Sequence, residues 1–400
     1  MDATRVQALI AGLLRDAHTL APLALRSTLE TRVTALGFDE FELYVVDHDQ
    51  RRLVPIPPAN SGDKPLALDA TLAGRAYQES VPVGDTADPA SIWFPVRDGI
   101  DRLGALRLAN RSWHDDLVAA CESFAALVAG LLVSKGSYTD DFTRVRRRQP
   151  MTLGAEICSS RLPPLSLSTG DVSVAGALEP AYSVSGDAFD YALNGSSLHI
   201  GIFDGMGHDL LAARLADLIV SGYRYCRRAL LPLSETYHYL DGLLRDSFGA
   251  DRFCTAQLAV LDADRRTLEL LNAGHPGPLL VRDGQISTLQ DGERVLPLGL
   301  GDLGAKPVET RTVSLKPDDR LLMYTDGVTE ARSGQGSLFG EQRLVDVMER
   351  ARKETQLLAE AVRRVMHDVA AFRGGEWRDD ATVVLVHWTP GGFERMGAPD

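Results

Sequence analysis

Four acidic sites in this 400-residue chain stand at the ends of apolar stretches, where a fold can present them to a ligand. Asp187 follows a Ser-Gly pair, whereas Asp204 and Asp326 each follow a strand-like run and precede a glycine. Asp379 and Asp380 directly precede the apolar run "ATVVLV". Polar residues at strand rims often form active sites, because the strands are rigid and the rim is open. The pattern predicts that these carboxylates meet at one site.

Carboxylates that meet repel one another, and their pKa values rise unless positive charge compensates. Oxygen ligands without histidine or cysteine favour Mg²⁺ or Mn²⁺ over zinc. Two such ions would match the charge of four carboxylates, and ions roughly 3.5–4 Å apart can share a hydroxide that attacks a phosphoryl group in line. A single Asp-Gly pair is typical of an ordinary turn. The four sites together indicate metal-dependent hydrolysis of a phosphate ester.

The segment "GIFDGMGHD" (201–209) joins a strand pattern to a helix pattern through two glycines. In this interpretation Asp204 bridges the metals, and the backbone carbonyl of Gly205 is a further oxygen ligand. Gly207 would permit the turn into a helix that starts near His208.

Composition restricts the class of protein. The net charge is −13, from 42 basic and 55 acidic residues, so a nucleic acid is not expected as a partner. We expect no membrane span, because we identify no apolar run that approaches the roughly 20 residues needed to cross a bilayer. The N-terminus lacks the pattern of a signal peptide, which predicts a cytoplasmic protein. The four cysteines, at positions 121, 158, 226 and 254, lack metal-site spacing and are expected to be buried thiols.

Residues 1–135 are predicted to form an α+β unit with an antiparallel sheet. Helical patterns cover 4–35 and 115–135, and strand patterns cover 41–47, 91–99 and 102–110. Residues 136–150 are polar and contain four arginines, at 144 and 146–148. This segment is predicted to be a helical linker with a solvated face, with a regulatory docking site as the alternative.

Residues 151–390 alternate strand patterns with paired helices, which predicts sheets sandwiched by helices. Asn194-Gly195 is typical of a tight hairpin. Residues 391–400 are rich in glycine and proline and are predicted to be a flexible tail.

Five motifs in this second region occur in the order found in a known family. "SGDAFDYAL", "GIFDGMGHD", "LNAGHPGPLL", "LLMYTDGVTEAR" and "RDDATVVLV" resemble the SpoIIE/RsbU-like branch of the metal-dependent protein phosphatases, within the protein phosphatase 2C-like superfamily. The resemblance covers about 150 to 388. It implies a β-sandwich flanked by helices, two Mn²⁺ or Mg²⁺ ions, and hydrolysis of phosphoserine or phosphothreonine on a protein, typically a STAS-type anti-sigma-factor antagonist.

Matched motif by motif, the resemblance implies metal ligation by the carboxylates of Asp187, Asp204, Asp326 and Asp379 and by the carbonyl of Gly205. Asp204 and Asp326 are the residues on which catalysis is expected to depend most. Asp380 is expected to support the metal ligands without binding a metal itself.

The sequence departs from the family pattern at three places. Ser185 stands where the usual first motif has glycine, which is a mild change. Asp209 stands where the branch usually has glycine, so it could bind a further cation or repel phosphate. Met206 stands where eukaryotic relatives have a histidine proposed as general acid. His208 and His275 are the alternatives for that role, against a helix-start cap for His208 and a strand-turn hydrogen bond for His275.

The first region resembles a GAF sensor domain through "LAGRAYQESVPV", "IWFPVRDG" and "LGALRLAN". This resemblance implies that an unidentified signal gates the phosphatase through the helix that starts at 115. The apolar stripes of the helices at 4–35 and 115–140 are consistent with a homodimer or with packing inside the unit. An alternative function is a phosphoprotein-binding regulator of low turnover that retains the same fold.

Overall fold

The computed structural model describes residues 2–57, 64–183, 186–289, 295–304, 307–354, 357–374 and 379–390. The chain divides into two compact units, Met1–Pro150 and Met151–Asp400. The tail predicted at 391–400 lies outside the described residues. The predicted mixed class of helices and sheets is confirmed.

The first unit is built on one antiparallel sheet with strand order β3-β2-β1-β6-β5-β4. Its strands are β1 (Glu40–Val46), β2 (Arg52–Pro55), β3 (Leu66–Ala67), β4 (Val83–Gly84), β5 (Ser91–Asp98) and β6 (Asp101–Ala109). Its helices are α1 (Ala3–Asp16), α2 (Leu25–Leu36), α3 (Leu72–Glu79), α4 (Asp115–Gly136) and α5 (Asp141–Val145).

Side chains alternate between the two faces of this sheet, as the period of two requires. Leu43 and Val45 face the core formed with α1, α2 and α4. Tyr44 and Val46 face the opposite core, which α3 covers.

Two expectations for this unit need correction. The single helix predicted over 4–35 is two helices, because the chain turns after Asp16 and Pro22 opens a short 3₁₀ turn before α2. The expectation that no segment is apolar enough to span a bilayer is wrong for α4. By length and composition alone, this helix could cross a membrane. Half of its most apolar window is buried inside the unit, where it packs in the core.

The predicted linker, 136–150, contains α5 and makes hydrogen bonds within the first unit. The Nε of Arg146 donates to the carbonyl of Val46 at 2.8 Å, and Arg148 bonds Asp49. Arg144 is exposed and pairs with Asp141 on its own helix. The arginine cluster is therefore solvated only in part.

The second unit contains two sheets. One has the order β15-β12-β11-β10-β9 and the other β14-β13-β16-β17-β8-β7. The strands are β7 (Ser166–Ser168), β8 (Val172–Glu179), β9 (Asp187–Asn194), β10 (Ser197–Gly205), β11 (Cys254–Asp262), β12 (Thr267–Ala273), β13 (Leu279–Arg282), β14 (Gln285–Thr288), β15 (Arg311–Ser314), β16 (Arg320–Tyr324) and β17 (Ala381–Trp388). The helices are α6 (Leu153–Arg161), α7 (Leu210–Arg228), α8 (Leu233–Phe248), α9 (Asp326–Thr329), α10 (Gly340–Glu354) and α11 (Leu358–Arg373).

Strand β17 shows how the layers form. Val384 and Val386 join a core that includes residues of both sheets, α7 and α8. Val383 and Leu385 point the other way, into a core with α10 and α11. A strand covered on both faces reads as a continuous apolar run, which is what "ATVVLV" is.

Two smaller predictions are confirmed. Strands β9 and β10 form a hairpin in which Asn194 pairs with Ser197 and Gly195 has a φ of +60°. All four cysteines are free and buried.

Candidate active site

The first two predicted carboxylates lie side by side on neighbouring strands. Asp187 begins β9 and Asp204 lies near the end of β10, and the antiparallel register places them directly opposite each other. Like charges in directly opposed positions destabilise a sheet. Their juxtaposition at the open end of the hairpin therefore points to a ligand that offsets the repulsion.

The other carboxylates come from the second sheet. Strand β16 ends at Tyr324 and β17 begins at Ala381, and these antiparallel strands pair Tyr324 with Val383. Asp326 and the pair at 379–380 consequently lie at the same edge of that sheet.

Asp380 connects this edge to the other sheet. Its Oδ2 accepts hydrogen bonds from the backbone N–H of Gly186 at 2.7 Å and of Asp187 at 3.2 Å. Asp380 is buried, whereas Asp379 is exposed. Asp380 thus lies against the backbone that carries Asp187, and its supporting role stays a prediction.

Two threonines that the sequence analysis missed orient Asp187. The hydroxyls of Thr325 and Thr382 each donate to its Oδ2 at 2.7 Å. The Thr325 oxygen also accepts the backbone N–H of Thr382 at 2.9 Å. Both threonines are fully buried and each lies next to an acidic motif, in "YTDG" and "DDAT". Their position directly beside these aspartates is the sequence feature that could have identified them.

The environment raises the pKa values of three of the carboxyl groups. Burial, then the charges of Asp204 and Asp380, raise the pKa of Asp187 well above its usual range, although the threonine hydroxyls act against the increase. Burial, followed by the charges of Asp326, Asp379 and Asp380, raises the pKa of Asp204 to about 7. Burial and the charge of Asp379 also raise the pKa of Asp326.

The backbone at the site is closely packed. A Cβ added to Gly186 would lie 2.6 Å from the carbonyl oxygen of Gly205 and 2.7 Å from that of Gly207, so only glycine fits there. Gly207 has a φ of +102°, which confirms the predicted turn into α7. The carbonyl proposed as a ligand, that of Gly205, therefore lies against the strand that carries Asp187.

Asp209 has a local structural role. Its Oδ1 accepts the backbone N–H of Ala212 at 2.9 Å, so it is the N-cap of α7. This bond, and then the positive charge of Arg252, lower the pKa of Asp209. Arg252 also donates to the carbonyl of Met206 at 2.9 Å. Arg252 was not singled out from the sequence, where no motif marks it.

The two candidate histidines differ in their surroundings. His208 is exposed in the turn before α7. His275 is fully buried, with Nε2 3.1 Å from the carbonyl of Tyr324 and Nδ1 2.8 Å from the hydroxyl of Thr255. A carbonyl can only accept, so Nε2 carries the proton and Nδ1 accepts from the hydroxyl. Both ring nitrogens of His275 are thus engaged inside the fold.

The donor set fits hard divalent cations. Among the described residues no three acidic, histidine or cysteine side chains stand in the arrangement of an already formed metal site. The carboxylates nevertheless raise one another's pKa values, and cations would reverse that effect. Oxygen donors of this kind suit Mg²⁺ or Mn²⁺.

Comparison with known proteins finds a family match in this part of the chain. Residues 194–389 match the family model of stage II sporulation protein E (SpoIIE). The matched SpoIIE segment includes Asp204, Asp326 and Asp379, whereas Asp187 lies just before it.

Two individual proteins also resemble part of the chain. The phosphoserine phosphatase RsbP of Bacillus subtilis is 30% identical over 153 residues, 37% of this chain and 37% of that protein. The phosphoserine phosphatase RsbU of the same organism is 24% identical over 223 residues, 55% of this chain and 63% of that protein. The chain thus spans less than two thirds of the length of either relative.

A solved structure of the PP2C phosphatase domain and part of the regulatory domain of Bacillus subtilis SpoIIE aligns with a TM-score of 0.46 at 22% identity. The alignment covers 56% of this chain and 65% of that one.

Proposed function

We propose that the protein is a metal-dependent phosphatase that hydrolyses phosphoserine or phosphothreonine on a regulatory protein. The observation that carries the proposal is the convergence of Asp187, Asp204, Asp326 and Asp379 from two sheets at one edge, with raised pKa values at the first three. Such a cluster is costly in a fold unless cations neutralise it.

The chain's own residues hold the reaction site in place. Asp204 and Asp326 would bind the cations and, through the cations, hold the phosphoryl group. Asp187, Asp379 and the Gly205 carbonyl would complete the set of ligands. Two bound Mg²⁺ or Mn²⁺ ions supply Lewis-acid stabilisation and lower the pKa of water for attack at phosphorus. The hydroxyls of Thr325 and Thr382 fix one oxygen of Asp187, which keeps the carboxylate in one orientation.

The leaving serine or threonine oxygen needs a proton. His208 is exposed in the turn that follows Gly205, whereas both ring nitrogens of His275 are engaged inside the fold. We assign the proton donor to His208 or to solvent that it orders. A His208→Gln variant should then lose more activity on an alkyl phosphate than on an aryl phosphate, whose leaving group needs no proton.

The substrate and the regulation extend the same proposal. Two relatives carry the name phosphoserine phosphatase, which supports a phosphoprotein substrate, and we take a STAS-type anti-sigma-factor antagonist as its class. The antiparallel sheet of the first unit supports a GAF-like sensor that responds to a signal. We further propose a cytoplasmic protein that forms a homodimer.

A phosphoprotein-binding regulator of low turnover is the weaker alternative. This alternative depends on Asp209 weakening catalysis beside the cations. Asp209 instead caps α7 and pairs with Arg252, so both oxygens of its carboxylate already have partners.

Two substitutions test the proposal. Asp204→Asn and Asp326→Asn should each abolish Mn²⁺-dependent phosphate release from a phosphoserine peptide, because each removes a charged ligand. Asp346→Asn changes an exposed aspartate on α10 and should leave turnover unchanged. Folded Asp204→Asn protein with the turnover of the parent chain would disprove the site assignment.

A further inference from the structure

The first unit contains a cavity of about 290 Å³ that opens to solvent. It lies at the edge of the core between the sheet, the last turns of α4, and α5. Val45, Leu132 and Phe142 form its buried apolar wall. Val133, which is 48% exposed, stands at its mouth. Small-molecule sites in proteins typically measure about 300–1,000 Å³, so this cavity suits a small ligand.

Of the nine described residues that line the cavity, one is charged. That residue is Arg146, and the polar residues Ser137 and Thr143 accompany it. Arg146 is partly buried and its Nε donates to the carbonyl of Val46 at 2.8 Å, so β1 fixes the position of its side chain. A guanidinium held at the margin of an apolar cavity favours an anion there, and it pairs well with a carboxylate.

Neighbouring bonds hold the segment that carries Arg146. The backbone N–H of His48 donates to the carbonyl of Arg146 at 3.2 Å, and Arg148 pairs with Asp49. Burial, and then the charge of Arg146, lower the pKa of His48 to about 4. His48 is therefore neutral at pH 7, and it adds no charge of its own beside the guanidinium.

On the opposite face of the same sheet, Tyr44, Tyr77 and Trp93 pack in a core that includes residues of α3. The cavity lies on the other face, which carries the long helix α4.

We propose that this cavity binds a small organic anion, with its apolar body against Val45, Leu132 and Phe142 and its carboxylate at Arg146. Such a ligand would lie against the end of α4 and against α5, the last helix of the first unit. This inference goes beyond the proposed phosphatase function and does not depend on it, because it concerns binding to the first unit alone.

The probe for this site is octanoate, a carboxylate with an unbranched apolar chain, with octanamide as its uncharged counterpart. Calorimetric titration of the full chain should give saturable binding of octanoate to one site and binding of octanamide at least about tenfold weaker. Arg146→Gln should weaken octanoate by a similar factor. Val133→Trp should abolish binding, because the indole enters the cavity from its open side without adding volume to the core.

Two matched variants serve as controls. Arg144→Gln removes an exposed arginine of the same segment, and Leu14→Trp places an indole on an exposed face of α1. Both should bind octanoate as the parent chain does. Lack of saturable binding, or binding that persists in Val133→Trp, would overturn the site. Equal affinities for octanoate and octanamide, or an unchanged affinity in Arg146→Gln, would overturn the assignment to anions.

Discussion

Removing the hydroxyl of Thr382 tests how the chain prepares Asp187 for a cation. Thr382→Val keeps the shape of the side chain and deletes the 2.7 Å hydrogen bond to the Asp187 carboxylate. That hydroxyl lowers the pKa of Asp187, so its loss favours the protonated acid, and a cation must then displace a proton.

The size of the effect follows from the bond. A hydrogen bond to a charged group contributes about 1.5–3 kcal/mol, and each 1.4 kcal/mol is roughly a factor of ten in affinity. Thr382→Val should therefore weaken Mn²⁺ binding by roughly ten- to hundredfold. Thr325→Val should do the same, and it should also cost about 1 kcal/mol of folding stability, because the Thr325 oxygen accepts the backbone N–H of Thr382.

The assay is a Mn²⁺ titration of each purified variant by calorimetry, with thermal unfolding measured in EDTA. Thr312→Val is the matched control, since its side chain is exposed on strand β15. It should change neither quantity. A Mn²⁺ affinity for Thr382→Val within twofold of the parent chain would refute the reasoning that the hydroxyls prepare Asp187.

Three further predictions concern other parts of the second unit. Burial, and then Arg320, lower the pKa of His387 to about 4, so the folded state binds this proton more weakly than the unfolded state does. The contribution of His387 to the free energy of unfolding should therefore fall as pH drops from 6.5 towards 4, by up to roughly 3 kcal/mol. His387→Gln should flatten this pH dependence when stability is measured by urea titration. The same pH dependence in the variant and the parent chain would contradict the lowered pKa of His387. Gly186→Ala should abolish Mn²⁺-dependent turnover, because the new methyl group meets two backbone carbonyls. Gly242→Ala, which has open space on α8, should instead raise the free energy of unfolding by about 0.5–1 kcal/mol. An active Gly186→Ala protein would contradict the first expectation and show that the backbone there can shift. Arg252→Gln should lower kcat/KM about fivefold by releasing the loop carbonyl that the guanidinium holds, with little change in Tm; unchanged kinetics would mean that the loop is held without it.

The carboxylate cluster could be predicted because its signal is local. Each aspartate ends or precedes a run whose apolar pattern fixes a strand, and strand ends meet at sheet edges. The turn at Asn194-Gly195 sets the register of β9 and β10, and that register places Asp187 opposite Asp204.

The supporting contacts could not be predicted in the same way. The hydroxyls that orient Asp187 come from residues 138 and 195 positions away, and the sequence contains no period that reports such a contact. The capping bond of Asp209 could not be predicted, because a cap depends on where the helix begins, and sequence patterns locate helix ends poorly. The break between α1 and α2 was missed although Pro22 marks it.

The most direct test of the phosphatase proposal is hydrolysis of p-nitrophenyl phosphate by the purified full chain, measured with Mn²⁺, with Mg²⁺ and with EDTA. The account predicts turnover with at least one of the two metals, none with EDTA, and none in Asp326→Asn with either metal. Turnover that persists in EDTA, or in Asp326→Asn, would contradict it, and so would the lack of turnover with both metals.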